Sequence, residues 1–149
     1  MTFKLKIYSH YNQLIEEKIN ALRYQITDLA LDAQNDAKGS AGDKHETALS
    51  MMHLEQEKLN QKVKEALEQK AILDSIDIVK KNVVVSLGSL VYTNSFIFFI
   101  SQALPKIQVE GHEIIALSPQ SPLGRQLIGK KVNDEVHFNT ATYKVLDLE

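Results

Sequence analysis

The 149-residue chain contains no cysteine. That absence excludes a disulfide framework, a thiolate metal site and a cysteine nucleophile, and it fits a reducing compartment, with the cytoplasm as the expected location. A secretory signal is not expected either, because the opening MTFKLKIYSHYNQ has neither a seven-residue apolar core nor a small-residue cleavage site. The longest apolar run, Phe96 to Ile100, is far too short to span a bilayer. A strong charge of one sign is also missing. Seventeen basic and nineteen acidic residues leave a formal net charge of −2, so any nucleic-acid role is expected to run through a partner. Glycine and proline are scarce, at six and three, and neither occurs between Met1 and Lys38. With 44% hydrophobic and 24% charged residues the chain lies outside the disordered and low-complexity classes. Its length suits one soluble, folded domain, or a small domain with an extended appendage.

The glycine-free start has a helical period. From residue 9 to 36, Ile15, Ile19, Leu22, Ile26, Leu29 and Ala33 recur at alternating spacings of four and three, which is a heptad seam. Polar residues fill the other faces, and about 28 residues would give an arm of roughly 40 Å. A second helical pattern runs from about Lys44 to Asp74 through Ala48, Met52, Leu59, Val63, Ala66 and Leu73, interrupted by Gln56 and Lys70. Two seams joined by so few residues bury each other most cheaply as an antiparallel helical hairpin.

After Ile76 the period changes to two and valine, isoleucine, phenylalanine and threonine take over. The division is therefore placed between residues 1–76, a coiled-coil hairpin with its tip at about 38–46, and residues 77–149, a small antiparallel β-rich domain. The fold class is α+β. Strands are expected at Val83–Leu87, Leu90–Tyr92, Phe96–Ser101, Ile107–Glu110, Glu113–Leu117, Glu135–Asn139 and Thr142–Leu148. Turn signals such as Glu110-Gly111 and Asn133-Asp134 separate them. One short helix, Leu123–Ile128, lies between Pro122 and Gly129. Phe96 to Ile100 are apolar on both alternating faces, as in a fully buried strand.

The tip reads KGSAGDKHE, Lys38 to Glu46. Asp43 with Glu46 three residues later resembles a capping box, with both carboxylates near the positive end of the second helix. His45 stands between them, but one histidine with no cysteine is a poor zinc site. Asp32 and Asp36 read as the solvated face of the first helix. GSAG lacks the GK[ST] ending of a phosphate-binding loop, and no nucleophile–base arrangement is visible, so a self-contained hydrolase is not expected.

The segment SPLGRQLIGKKVNDEV, Ser121 to Val136, resembles the signature of the bacterial Gre family of transcript cleavage factors, in which a Ser-Pro element leads through a short helix to Leu-Ile-Gly-Lys. The family's tip motif, Gly-Asp-x-x-Glu, corresponds to Gly42, Asp43 and Glu46. The resemblance implies an N-terminal coiled coil followed by an FKBP-like domain that docks on RNA polymerase, with Ser121, Pro122 and Leu123 in the docking neighbourhood. It implies a coil inserted into the polymerase's secondary channel, where the factor stimulates cleavage of backtracked RNA. The chain would then not be an enzyme alone, with no cofactor of its own and only indirect contact with the extruded RNA 3′ end. A monomer is expected, and the looser second seam leaves pairing with another chain open. Asp43 and Glu46 would act on the catalytic magnesium of the polymerase, in the complex only. Two-metal hydrolysis of a phosphodiester needs two magnesium ions about 4 Å apart, and a weakly held magnesium ion can be retained by one or two added carboxylates.

After Glu46 the family usually continues Asn-Ala-Glu-Tyr, where this chain has Thr47, Ala48, Leu49 and Ser50. That departure keeps open a non-cleaving relative that occupies the same channel. A coiled-coil module gripping an unrelated protein is the alternative from a different functional class.

Overall fold

The computed structural model describes residues 1–39 and 43–149, and within that range the side chains of residues 33, 35–39 and 43–45 lie outside the description. The elements run, in order, α1 (Phe3–Gly39), α2 (Asp43–Asp74), β1 (Leu90–Thr93), β2 (Ile97–Ile100), β3 (Ile107–Val109), β4 (His112–Leu117), α3 (Pro122–Leu127), β5 (Glu135–Phe138) and β6 (Ala141–Leu148). This is the α+β architecture expected: two long helices, then a sheet with one short helix. No described helix is long and apolar enough to cross a membrane. The chain divides into two compact units, Gln13–Ala71 and the combination of Met1–Asn12 with Ile72–Glu149.

In the helical unit, Ile15, Ile19 and Leu22 of α1 and Leu59 and Ala66 of α2 are buried. Ile26, Leu29, Ala48, Met52 and Val63 are half-buried, as are Gln56 and Lys70, the two polar residues in the α2 seam. Glu16, early in α1, lies 3.5 Å from Lys70, late in α2, so the two helices run antiparallel. That ion pair is solvated and contributes at most about 1 kcal/mol. Each buried isoleucine or leucine of the seam contributes about 1.5–3 kcal/mol, so apolar burial holds the pair together. Of the adjacent methionines, Met52 belongs to the seam and Met51 is exposed.

The first turns of α1 belong to the sheet-containing unit. The helix begins at Phe3 rather than near residue 9 because Thr2 caps it, its hydroxyl accepting from the Leu5 N–H at 3.2 Å. Ile7 and Tyr11 are fully buried. The Tyr11 ring stacks on Phe99 at 5.9 Å, and its hydroxyl donates to the Pro105 carbonyl at 3.0 Å.

The sheet has the order β3-β4-β2-β1-β6-β5. Every pairing is antiparallel except β2 with β4, which is parallel with Phe99 opposite Ala116. The exception arises because the chain leaves β2, runs to the edge as β3 and turns back beside β2 as β4. At the β3–β4 turn Glu110 and Gly111 have φ of 53° and 80°, the double positive φ of a tight type I′ hairpin. Strand β2 is the buried strand its sequence predicts: Phe98 and Ile100 join Val91, Val136, Val145, Leu123 and Leu127 in one core, while Phe99 faces Tyr11. Residues 83–87 are not a strand. Val83 is exposed and Val85 is buried, and only Val85 pairs in ladder fashion, exchanging bonds with Gly129 and Lys130.

Candidate functional site

The carboxylates expected at the tip stand in the first turn of α2, which opens at Asp43. Residues three apart on a helix lie on one face. Glu46 is exposed. The side chain of Asp43, like those of Lys38, Lys44 and His45, lies outside the described residues, and so do residues 40–42 of the joint. Among the described residues no group of three or more histidines or carboxylates is placed to hold a metal ion. Glu46 offers one hard oxygen donor set, of the chemistry that magnesium accepts while keeping its waters. Lys58, Lys62 and Lys64 further along α2 are exposed.

The three residues expected at the docking surface have different surroundings. Ser121 is the N-cap of α3: its hydroxyl accepts from the Gly124 N–H at 3.1 Å and donates to the Ser118 carbonyl at 2.7 Å. Pro122 fills the first helical position, where a missing N–H costs nothing. Its ring is exposed. Leu123 is buried in the core beside Phe98 and Val145. Gly124 closes the turn, because a Cβ there would stand 2.0 Å from the Ser118 carbonyl oxygen and 2.7 Å from Ser121 Oγ. The sequence therefore builds a tight cap around Ser118 to Gly124 in which Ser121 and Leu123 face inward bonds and packing, and Pro122 and Gln120 are left on the surface.

Three buried or half-buried ionisable groups lie apart from the tip. Lys4 is buried, and its ammonium donates to the Lys80 carbonyl at 3.0 Å. Burial lowers its pKa, and the nearby Glu149 and Asp77 partly restore it. Burial raises the Tyr11 hydroxyl well above the ordinary tyrosine range. Tyr92 is pushed up to about 12, by burial first and then by the charge and hydrogen bond of Glu149 and the charge of Asp147. None of these adjoins the tip or the α3 cap in sequence. A feature that pattern reading missed is a groove beside that cap, where Leu87 and Ile128 are partly exposed. Its walls come from segments far apart in the chain, so no local motif marks it.

Compared with known proteins, residues 110–149 match the family described as Transcription elongation factor, GreA/GreB, C-term. The matched segment contains Ser121 to Val136, so the resemblance seen in the sequence holds for this C-terminal part of the chain. Among solved structures, GreA factor homolog 1 of Thermus thermophilus is similar at 16% identity, with 93% of this chain and 94% of that chain covered and a TM-score of 0.35. No curated protein matches the chain.

Proposed function

We propose that the chain is a Gre-like transcription elongation factor that binds RNA polymerase and stimulates its hydrolysis of backtracked RNA. The match of residues 110–149 to the GreA/GreB C-terminal domain carries this reading. The long antiparallel helices preceding that domain, with Asp43 and Glu46 in the opening turn of α2, support it. The sheet-containing unit docks through the exposed surface around Pro122, and the helical unit enters the secondary channel tip first.

The division of labour follows from the residues present. The magnesium of the polymerase, when bound in the complex, polarises the phosphodiester and the attacking water. Glu46 would add a carboxylate oxygen toward that ion or accept a proton from the water, and Asp43, three residues earlier, would take the other role. The compartment in which such a factor works is the bacterial cytoplasm.

The test is RNA release from a backtracked elongation complex with magnesium, comparing the intact chain with Asp43→Ala and Glu46→Ala variants that still bind polymerase. Loss of at least tenfold in rate in either variant, about 1.4 kcal/mol of barrier, is expected. Binding by all three proteins without cleavage by any would refute the cleavage step. It would favour instead a non-cleaving occupant of the channel, the reading to which Thr47, Ala48, Leu49 and Ser50 point.

A further inference from the structure

Beside the α3 cap the sheet-containing unit holds a groove of about 510 Å³. Leu87, Pro119 and Ile128 supply apolar wall, with Leu87 42% and Ile128 38% exposed. Five polar side chains line the same space: Ser86, whose hydroxyl donates to Asn82 Oδ1, Gln120, whose Oε1 accepts from the Ser118 hydroxyl, and Ser101, Gln102 and Arg125. Ser101 is fully buried, and its hydroxyl has no hydrogen-bond partner among the described residues. Its backbone N–H is satisfied by the Leu117 carbonyl at 2.7 Å, so the orphan is the side chain alone. The guanidinium of Arg125 forms no ion pair among the described residues. The Gln102 carboxamide is likewise unengaged there.

A buried hydroxyl left unpaired costs about 1–3 kcal/mol. Folded chains seldom carry that cost without a group that satisfies the atom in some state. The volume falls in the range of small-molecule sites, roughly 300–1,000 Å³, and the pattern of apolar wall with a few converging polar groups is what such sites share. Arg125 offers two parallel N–H donors that match a carboxylate. Ser101 and Gln102 add donors on the same lining, and the leucine, proline and isoleucine walls take an aliphatic body. As a residue in the last turn of α3, Arg125 also complements the helix C-terminus, but that role neither uses the groove nor satisfies Ser101.

We infer that this groove is a binding site for a small amphiphilic acid, a carboxylate on an aliphatic body, with Arg125 on the carboxylate and Ser101 and Gln102 on its oxygen atoms. The inference is independent of the polymerase reading, and its test does not involve polymerase.

Calorimetric titration of the intact chain with sodium octanoate, with octanol as the uncharged control, reads it directly. Saturable binding of one octanoate per chain is expected, with octanol at least tenfold weaker. Arg125→Gln, an exposed position, is expected to fold normally and to lose at least tenfold in octanoate affinity. Ser101→Ala separates the ligand role from a packing role: it is expected to raise the melting temperature of the free chain, by removing the orphan hydroxyl, and to weaken octanoate. The proposal is overturned if octanoate shows no saturable binding, if octanol binds as well as octanoate, or if Arg125→Gln leaves the affinity unchanged. Sedimentation showing that Ile128→Ser disperses a self-associated chain would assign the groove to a second copy and overturn it as well.

Discussion

Ser121, Pro122 and Leu123 are adjacent in sequence, yet the structure gives them three different jobs, and substituting each in turn separates docking from folding. Ser121→Ala removes the acceptor of the Gly124 N–H, while the Ser118 carbonyl keeps the bond from the Ser121 backbone N–H at 3.1 Å. One part-buried donor is orphaned, so the cost is that of a lost N-cap, about 0.5–2 kcal/mol. Leu123→Ala empties a core position beside Phe98, Leu127 and Val145 and costs about 2–5 kcal/mol. Pro122→Ala leaves the core untouched and loses only the restriction of the unfolded chain, about 0.4–1 kcal/mol. In a unit of about 90 residues, each kcal/mol moves the melting temperature by about 4–8 °C. Thermal and guanidinium unfolding should therefore rank the variants Leu123, Ser121, Pro122 from most to least destabilised. Polymerase binding at a temperature where all three remain folded should rank differently, with Pro122→Ala weakened most because its ring alone is exposed. If Ser121→Ala unfolds with the intact chain and still loses polymerase, the hydroxyl is a docking group and the capping account fails.

Other outcomes follow from the same packing. Phe99→Ala, which strips the buried ring stacked on Tyr11, should cost about 3–5 kcal/mol in chemical denaturation. Stability should fall as the pH rises from about 10 toward 12. The hydroxyls of Tyr11 and Tyr92 have raised values in the folded chain, so the unfolded chain releases those protons first as pH rises. Tyr11→Phe should flatten that fall, at a cost of about 0.5–1.5 kcal/mol at neutral pH for the lost bond to the Pro105 carbonyl. Gly111→Ala, at φ of 80°, should destabilise the β3–β4 hairpin by about 1 kcal/mol in the same assay. Hydrogen exchange should be slower at the amides around Ile19 and Ala66 than around Ile26 and Met52, because seam burial declines between them.

Periodicity was legible wherever a residue's burial is decided by its own helix or strand. The seam positions Ile15, Ile19 and Leu22 and the doubly apolar β2 are of that kind. The start of α1 was not, because Phe3, Ile7 and Tyr11 follow a four-residue spacing toward a sheet formed about ninety residues later, and a heptad search aligned to α2 passes over them. Residues 83–87 mislead in the opposite sense: three valines carry strand propensity, but only Val85 finds a partner, at the turn after α3. The parallel β2–β4 pairing depends on where the edge hairpin lands. At the Ser-Pro-Leu motif the sequence marks the residue types, while cap geometry assigns Ser121 to the turn and Leu123 to the core. The groove with Ser101 is set by tertiary placement throughout.

Burial along the helical pair has a consequence for the tip. Ile15, Ile19, Leu22, Leu59 and Ala66 are buried, whereas Ile26, Leu29, Ala48 and Met52 are half-buried, so the carboxylates at the start of α2 stand beyond the better-packed part of the seam. A metal site complete in one chain needs ligands held by tight packing. Where the partner's active site supplies the rigid half, what the helices must supply is reach. The antiparallel register anchored by Glu16 and Lys70 sets residues 23–29 opposite 57–63. Deleting both heptads keeps the seam in phase but withdraws the tip by about 10 Å, far more than the hydrogen-bond reach that proton transfer tolerates. The shortened chain should bind polymerase as the intact chain does and lose stimulated cleavage entirely. Retained cleavage would mean that Asp43 and Glu46 act from a distance or not at all, and the assignment of chemistry to the tip would fall.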